Sequence, residues 1–179
     1  MKVKEYVPAL GAVLLAALLL TAVAFALRTM QEERSQTALE RQLALLLPGS
    51  TDFAQRSGDG QLVQALYEGQ TGTVARVRCP GYVYDVELLV AVGEEGTVTG
   101  LAVWDAHETL GLGSDILTDH EFLAQFLTTD GTAEIGTEIR PISGATVSSR
   151  AVSRCVGAAV SAATGVDVPS QATPWGDAP

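Results

Sequence analysis

Basic residues are scarce in this chain. Of 179 residues, 11 are Lys or Arg against 21 Asp or Glu, a formal net charge of −10 at pH 7. Nucleic-acid binding needs a basic surface to displace counterions, so that class is excluded. A domain this acidic also does not lie flat on anionic lipid. Cysteine is nearly absent: Cys79 and Cys155 form neither a CxxC pair nor a zinc spacing. A single disulfide between them outside the cytoplasm and a buried hydrophobic role for Cys155 are both open readings. The two histidines, His107 and His120, stand apart, which argues against a metal site. No acid–base pair and no nucleophilic triad is legible, so no catalytic residue is assigned. Internal repeats and low-complexity tracts are missing too.

What is there begins with an apolar run. Val7 to Leu27 reads VPALGAVLLAALLLTAVAFAL without a charge. As a helix rising about 1.5 Å per residue, such a run spans roughly 30 Å, the hydrocarbon thickness of a bilayer. Pro8 falls in the first turn, where its missing N–H does little harm, and Tyr6 sits at the expected interface. A cleaved signal peptide is the competitor, with Lys2 and Lys4 ahead of the run and Ala24-Phe25-Ala26 as a small-x-small site. The run exceeds the usual signal core, which favours a retained anchor. Positive charge does not set its sidedness: Lys2 and Lys4 precede it, but Arg28, Arg34 and Arg41 follow.

After the anchor the remainder is about the size of one ordinary domain. Arg28 to Leu47 carries Ala38, Leu39, Leu43, Leu46 and Leu47 at helical spacing, and Pro48-Gly49 stops the pattern. This stalk packs on its own domain or offers a face to partner proteins. The period then changes to two. Tyr82, Tyr84, Val86, Leu88, Val90 and Val92 alternate with Asp85 and Glu87, predicting a strand with one buried face. Gly93-Glu94-Glu95-Gly96 turns into a second strand, Thr97 to Trp104. Gln61 to Tyr67 and Gly72 to Cys79 are two more, joined at Glu68-Gly69-Gln70-Thr71. Short connections imply an antiparallel meander. Asp119 to Leu127 predicts a short helix with Asp119 as its N-cap. The fold class is therefore α+β: an antiparallel β-meander packed with helices, preceded by one N-terminal transmembrane helix. The expected organisation is an anchor over 1–28, a stalk helix over 29–49, a ligand-binding domain over 50–168 and a flexible tail over 169–179.

Two segments carry the chemistry. Ile142-Ser143-Gly144-Ala145-Thr146-Val147-Ser148-Ser149-Arg150 leads into a helix whose stripe is Val152, Cys155, Val156, Ala159, Val160 and Ala163, with Gly165 as a natural C-cap. Small residues thus meet a helix N-terminus, where unpaired N–H groups and the positive dipole end favour an anion. Gly144 and Ala145 let a phosphate come close. Thr146 offers a hydroxyl to bond it or be esterified by it, and Arg150 adds charge one turn on. The plainer alternative is an ordinary N-cap at Ser143. The second segment, His107-Glu108-Thr109-Leu110-Gly111-Leu112-Gly113-Ser114-Asp115, follows a strand and places two glycines two apart, as a loop pressed on a ligand would. Its alternative is a plain glycine-rich turn. It is no dinucleotide fingerprint, because Ile116 stands where the third glycine belongs.

Together these segments resemble the FMN-binding domain found in the G component of the Rnf electron-transport complex and in the C component of the sodium-pumping NADH:quinone reductase. The likeness covers nearly the whole chain: anchor, helix ending Leu46-Leu47-Pro48-Gly49, meander, Glu108-Thr109-Leu110-Gly111-Leu112-Gly113 and Ser143-Gly144-Ala145-Thr146. The resemblance implies FMN joined by a flavin transferase through a phosphoester to Thr146, with Ser143, Gly144, Ala145, Val147 and Ser148 around it. Glu108, Thr109, Leu112 and Gly113 are implied as flavin neighbours. It further implies an electron-carrier role beside other membrane subunits of an ion-translocating complex in the cell membrane, with the domain outside the cytoplasm. A stand-alone anchored flavoprotein and a cofactor-free interaction module are the rival expectations. The chain departs from the family's pattern at two places. Its loop usually reads His-x-Glu-Thr-Pro-Gly-Leu-Gly, whereas here Ala106 takes the histidine position, His107 is shifted by one and Leu110 replaces the proline. Arg140 stands where the family usually has an aspartate, an acid implicated in recognition by the transferase.

Overall fold

The structure, a computed structural model, describes residues 6–59, 61–81, 85–106 and 119–168. Side chains of the first helix are described at 18–26 and from 35 onward, and those of 105 and 106 are not. Helix α1 spans Tyr6–Leu46. Residues up to Arg41 form one compact unit and those from Gln42 onward a second. In the first unit, residues 18–26 are all exposed, among them Leu18, Leu19, Leu20, Val23 and Phe25. No helix long and apolar enough to cross a membrane is found among the described residues. The side chains of residues 7–17 and of Leu27, over half of the apolar run, lie outside them.

The second unit is built on a five-stranded antiparallel meander in the order β1-β2-β3-β4-β5. The strands are β1 Ala54–Ser57, β2 Val63–Glu68, β3 Gly72–Pro80, β4 Asp85–Gly93 and β5 Val98–Ala106. Four of them lie where the period-two pattern put them. Edge strand β1, exposed along its whole length, was not anticipated: Ala-Gln-Arg-Ser has no apolar alternation to reveal it. Both tight connections form as expected, with Gly69 N–H donating to Gly72 O at 2.9 Å and Gly93 N–H to Thr97 O at 2.9 Å. Helix α2, His120–Ala124, is shorter than predicted but is capped as predicted, since Asp119 accepts from the amides of Glu121 and Phe122. Helix α3 spans Thr146–Thr164 and ends on Gly165 in the left-handed conformation.

The expectation that β4 buries one face needs correction: from Val86 to Val92 every residue is buried. Val86, Leu88, Val90 and Val92 join Ala75, Val77 and Cys79 of β3 in the core under Val152, Cys155, Val156, Ala159 and Val160 of α3. Phe122 and Phe126 close that core edge-to-face, 5.4 Å between centroids. A fully buried valine contributes roughly 1.5–3 kcal/mol, so this stripe is what seats α3. Leu89 and Ala91 point the other way and are buried too, and beside Ala91 the last turn of α1 comes down on Gly100. A Cβ at Gly100, opposite Ala91, would stand 3.0 Å from Leu46 Cδ2 and 3.4 Å from Leu46 O. Glycine there is a condition of that approach. Leu43 and Leu47 are each 2% exposed.

Glu87 shares this second face and is 4% exposed, not solvated as its place in the alternation predicts. Two arginines explain it. Arg76 Nε donates to Glu87 Oε1 at 2.6 Å and Arg78 NH2 to Oε2 at 3.4 Å. The Arg76 guanidinium also lies 5.4 Å from the centroid of the Trp104 ring. Burial opposes the Arg76 charge, but the bond and charge of Glu87 outweigh it, and its pKa is raised. Removing the carboxylate strands Arg76 in a half-buried place. Glu87→Ala is accordingly expected to lower stability by about 2 kcal/mol, read as a lower urea midpoint with unchanged slope. An unchanged midpoint would show that the pair adds nothing.

Candidate functional site

Helix α3 runs so that Thr164 lies by Gly96, in the β4–β5 turn, and Cys155 by Val86, near the start of β4. Its amino end therefore extends toward the end of the sheet where Val86 pairs with Ala106, the last described residue of β5. The glycine-rich segment starts from that same end. Glu108, Thr109, Leu112 and Gly113, with His107, lie outside the described residues, as do Tyr82, Tyr84 and the tail.

The motif itself is described. Ala145, not Ser143, is the N-cap of α3, and no side chain caps the helix, so the ordinary serine cap is overturned. Ser143 fails as a cap because Gly144 intervenes with φ +84°, bending the chain before the helix starts. The turn is held from within. Ala145 N–H donates to Ile142 O at 3.0 Å, Ser149 N–H to Ala145 O at 2.9 Å, and Ser149 Oγ to Ala145 O at 3.0 Å. Ser149 Oγ also accepts from Ile142 N–H at 3.4 Å. The amides of Thr146, Val147 and Ser148 find no backbone acceptor among the described residues, and with no side-chain cap they stay bare. Ser148 is fully buried and its Oγ has no partner.

Ser143, Gly144, Thr146 and Arg150 are exposed, Val147 is half-buried and Ala145 is buried. A Cβ added at Gly144 would meet nothing within 4 Å. Open space thus lies against a helix end with three unclaimed donors and an exposed hydroxyl. That donor set suits a phosphate monoester or diester. It holds no metal ligands; among the described residues no His/Cys/Asp/Glu group could hold an ion.

Arg140 is exposed, and its backbone is clamped on both sides by Gln125. Arg140 N–H donates to Gln125 Oε1 at 2.8 Å and Gln125 Nε2 to Arg140 O at 3.3 Å. The clamp borders a groove of about 710 Å³ between α2 and residues 136–142. Gln125 and Ser149 were not singled out from the sequence. The legible signal for Ser149 is a serine in the first turn of a helix on its inward side, where a hydroxyl bonds the carbonyl four residues back. Gln125 gives no local signal, because its partner is distant in sequence.

The sequence matches the FMN-binding domain family over residues 81–161. It is also 31% identical over 147 residues to the G component of the ion-translocating oxidoreductase complex of Methanosarcina acetivorans, an alignment covering 70% of this chain and 73% of that protein. The chain belongs to this FMN-binding family. The matched span takes in β4, β5, α2 and most of α3, so the bare amide end of α3 and the glycine-rich segment are both parts of the FMN-binding domain.

Gly144 adopts a conformation that costs an L-residue about 1–2 kcal/mol. Gly144→Ala is expected to lose about that much stability although its methyl group meets open space, as thermal unfolding of the two proteins would report. Equal melting temperatures would mean that the turn relaxes without strain.

Proposed function

We propose that this chain is an electron-transfer flavoprotein subunit of an Rnf-type ion-translocating membrane oxidoreductase, with FMN joined by a phosphoester to Thr146. Membership of the FMN-binding family and the name of its Methanosarcina relative support the electron-transfer role. The observation that carries the site is the set of three unclaimed amides at Thr146, Val147 and Ser148, beside the exposed Thr146. These amides and the positive helix end neutralise phosphate charge. Gly144 leaves room for the phosphate oxygens, and Ser143 and Arg150, both exposed, border the same end. Attachment requires Thr146 Oγ to lose its proton and form the P–O bond while the transferase's flavin donor loses its leaving group. When bound, the flavin accepts and passes on electrons singly, at a potential set by neighbouring hydrogen bonds and charge. Tethering keeps it from leaving for solvent.

Glu108, Thr109, Leu112 and Gly113 are proposed neighbours of the flavin, in a segment that leaves the sheet at the end where α3 begins. The partners are other membrane subunits of the complex and, during maturation, a flavin transferase. The N-terminal run is proposed to hold the chain in the cell membrane as a single span, with the domain outside the cytoplasm. Nine successive described residues of that helix are exposed all round and apolar but for Thr21, whose hydroxyl donates to Leu18 O at 2.9 Å. A helix apolar on all sides needs a nonaqueous surrounding, and a hydroxyl there needs an internal partner. Copurification separates a member of a complex, which arrives with several polytopic proteins, from a stand-alone flavoprotein.

Coexpression with a flavin transferase should give a fluorescent band on a denaturing gel for the wild type and for Thr146→Ser, and none for Thr146→Ala. A band of equal strength from Thr146→Ala would refute the assignment.

A further inference from the structure

Cys79 and Cys155 are far apart in sequence, yet both are fully buried in one core. Cys79 lies in β3 directly opposite Val86 of β4. The Cys155 thiol, from α3, donates to the carbonyl of that same Val86 at 3.9 Å. Cys79 is close enough to Cys155 to act on the titration of its thiol. We infer that Cys79 and Cys155 form an intramolecular disulfide that staples the phosphate-binding helix α3 to the centre of the sheet. The inference rests on the outward-facing domain proposed above, because disulfides persist in oxidising compartments.

The reaction is thiol–disulfide exchange, with an external disulfide as oxidant. One cysteine thiolate attacks it, forms a mixed disulfide and releases one thiolate. The second cysteine then attacks the mixed disulfide at the first cysteine's sulfur and releases the other. Two protons leave the cysteines, and two electrons reduce the external disulfide to two thiols. Burial, and then the neighbouring Cys79, push the Cys155 thiol well above its ordinary range, so the folded chain holds little Cys155 thiolate for the attack. Exchange belongs to the chain before it closes, and the finished bond is shielded from reductant. The loop it closes takes in β4, β5 and α2. Cross-linking so long a loop removes much of the freedom of the unfolded chain.

The test uses the full-length protein in two preparations: one solubilised from membranes after acid quenching, the other refolded in a glutathione redox buffer. Each is treated with N-ethylmaleimide in denaturant and weighed intact by mass spectrometry, with flavin absorbance recorded on the same sample. Neither cysteine should take up maleimide until a reductant is added. Cys79→Ser should leave Cys155 open to labelling, and the reverse variant should leave Cys79 open. Reduction should lower the melting temperature by about 10 °C. If both cysteines label before reduction in both preparations, or the bond joins two chains, the inference fails. Closure in the refolded sample alone would uphold the pairing and overturn the outward-facing domain, while colourless protein would count only against the FMN reading.

Discussion

The seating of α3 on β2, β3 and β4 is the constraint on which the rest depends. Val152, Cys155, Val156, Ala159 and Val160 occupy one side of that helix and are at most 2% exposed. Their burial fixes both the direction and the axial position of α3. The site is a consequence, because the donors at a helix end have no freedom of their own: they point wherever the buried stripe aims the axis. The amides of Thr146, Val147 and Ser148 have no acceptor among the described residues of the protein, which leaves them available to a bound anion. No side chain caps this end of the helix. Ser143 is two residues too early, and Gly144 turns the chain away before the helix begins.

The sheet serves the same end. From Val86 to Val92 β4 is buried on both faces, with α3 packed on one and Leu46 of α1 approaching the other at Gly100. The buried Glu87 is tolerated in that strand because Arg76 and Arg78 reach it and Trp104 flanks Arg76. Breaking such a pair costs more than the pair itself contributes, because it leaves a half-buried charge unpaired. It sits at the end of the sheet from which the glycine-rich segment departs, so strand pairing there bears on where that segment begins.

Much of this was legible from periodicity. The positions of β2 to β5, the stripe on α3, the cap at Asp119 and the stop at Gly165 follow from local patterns, and the structure has each of them, although β4 does not keep the alternation. The misses have a common physical cause. The approach of Leu46 to Gly100 beside β4 joins residues far apart in sequence, and the burial of Glu87 depends on two cross-strand arginines. The clamp on Arg140 depends on Gln125. None of these contacts is local, so no single window of sequence shows it. Strand β1 shows the converse: an exposed edge has no hydrophobic pattern to read. Within the site, Ser143 to Arg150 can be read from small residues ahead of an amphipathic helix. The roles at Glu108, Thr109, Leu112 and Gly113 rest on family likeness alone.

The central claim is that a flavin phosphate sits on the bare amides of α3. Backbone ¹H–¹⁵N spectra of the full-length protein in detergent, with FMN added stepwise, test it most directly. The account predicts that the amide protons of Thr146, Val147 and Ser148 move furthest downfield, as donors newly bonded to phosphate do. Saturable shifts elsewhere in the domain, with these three unmoved, would contradict it.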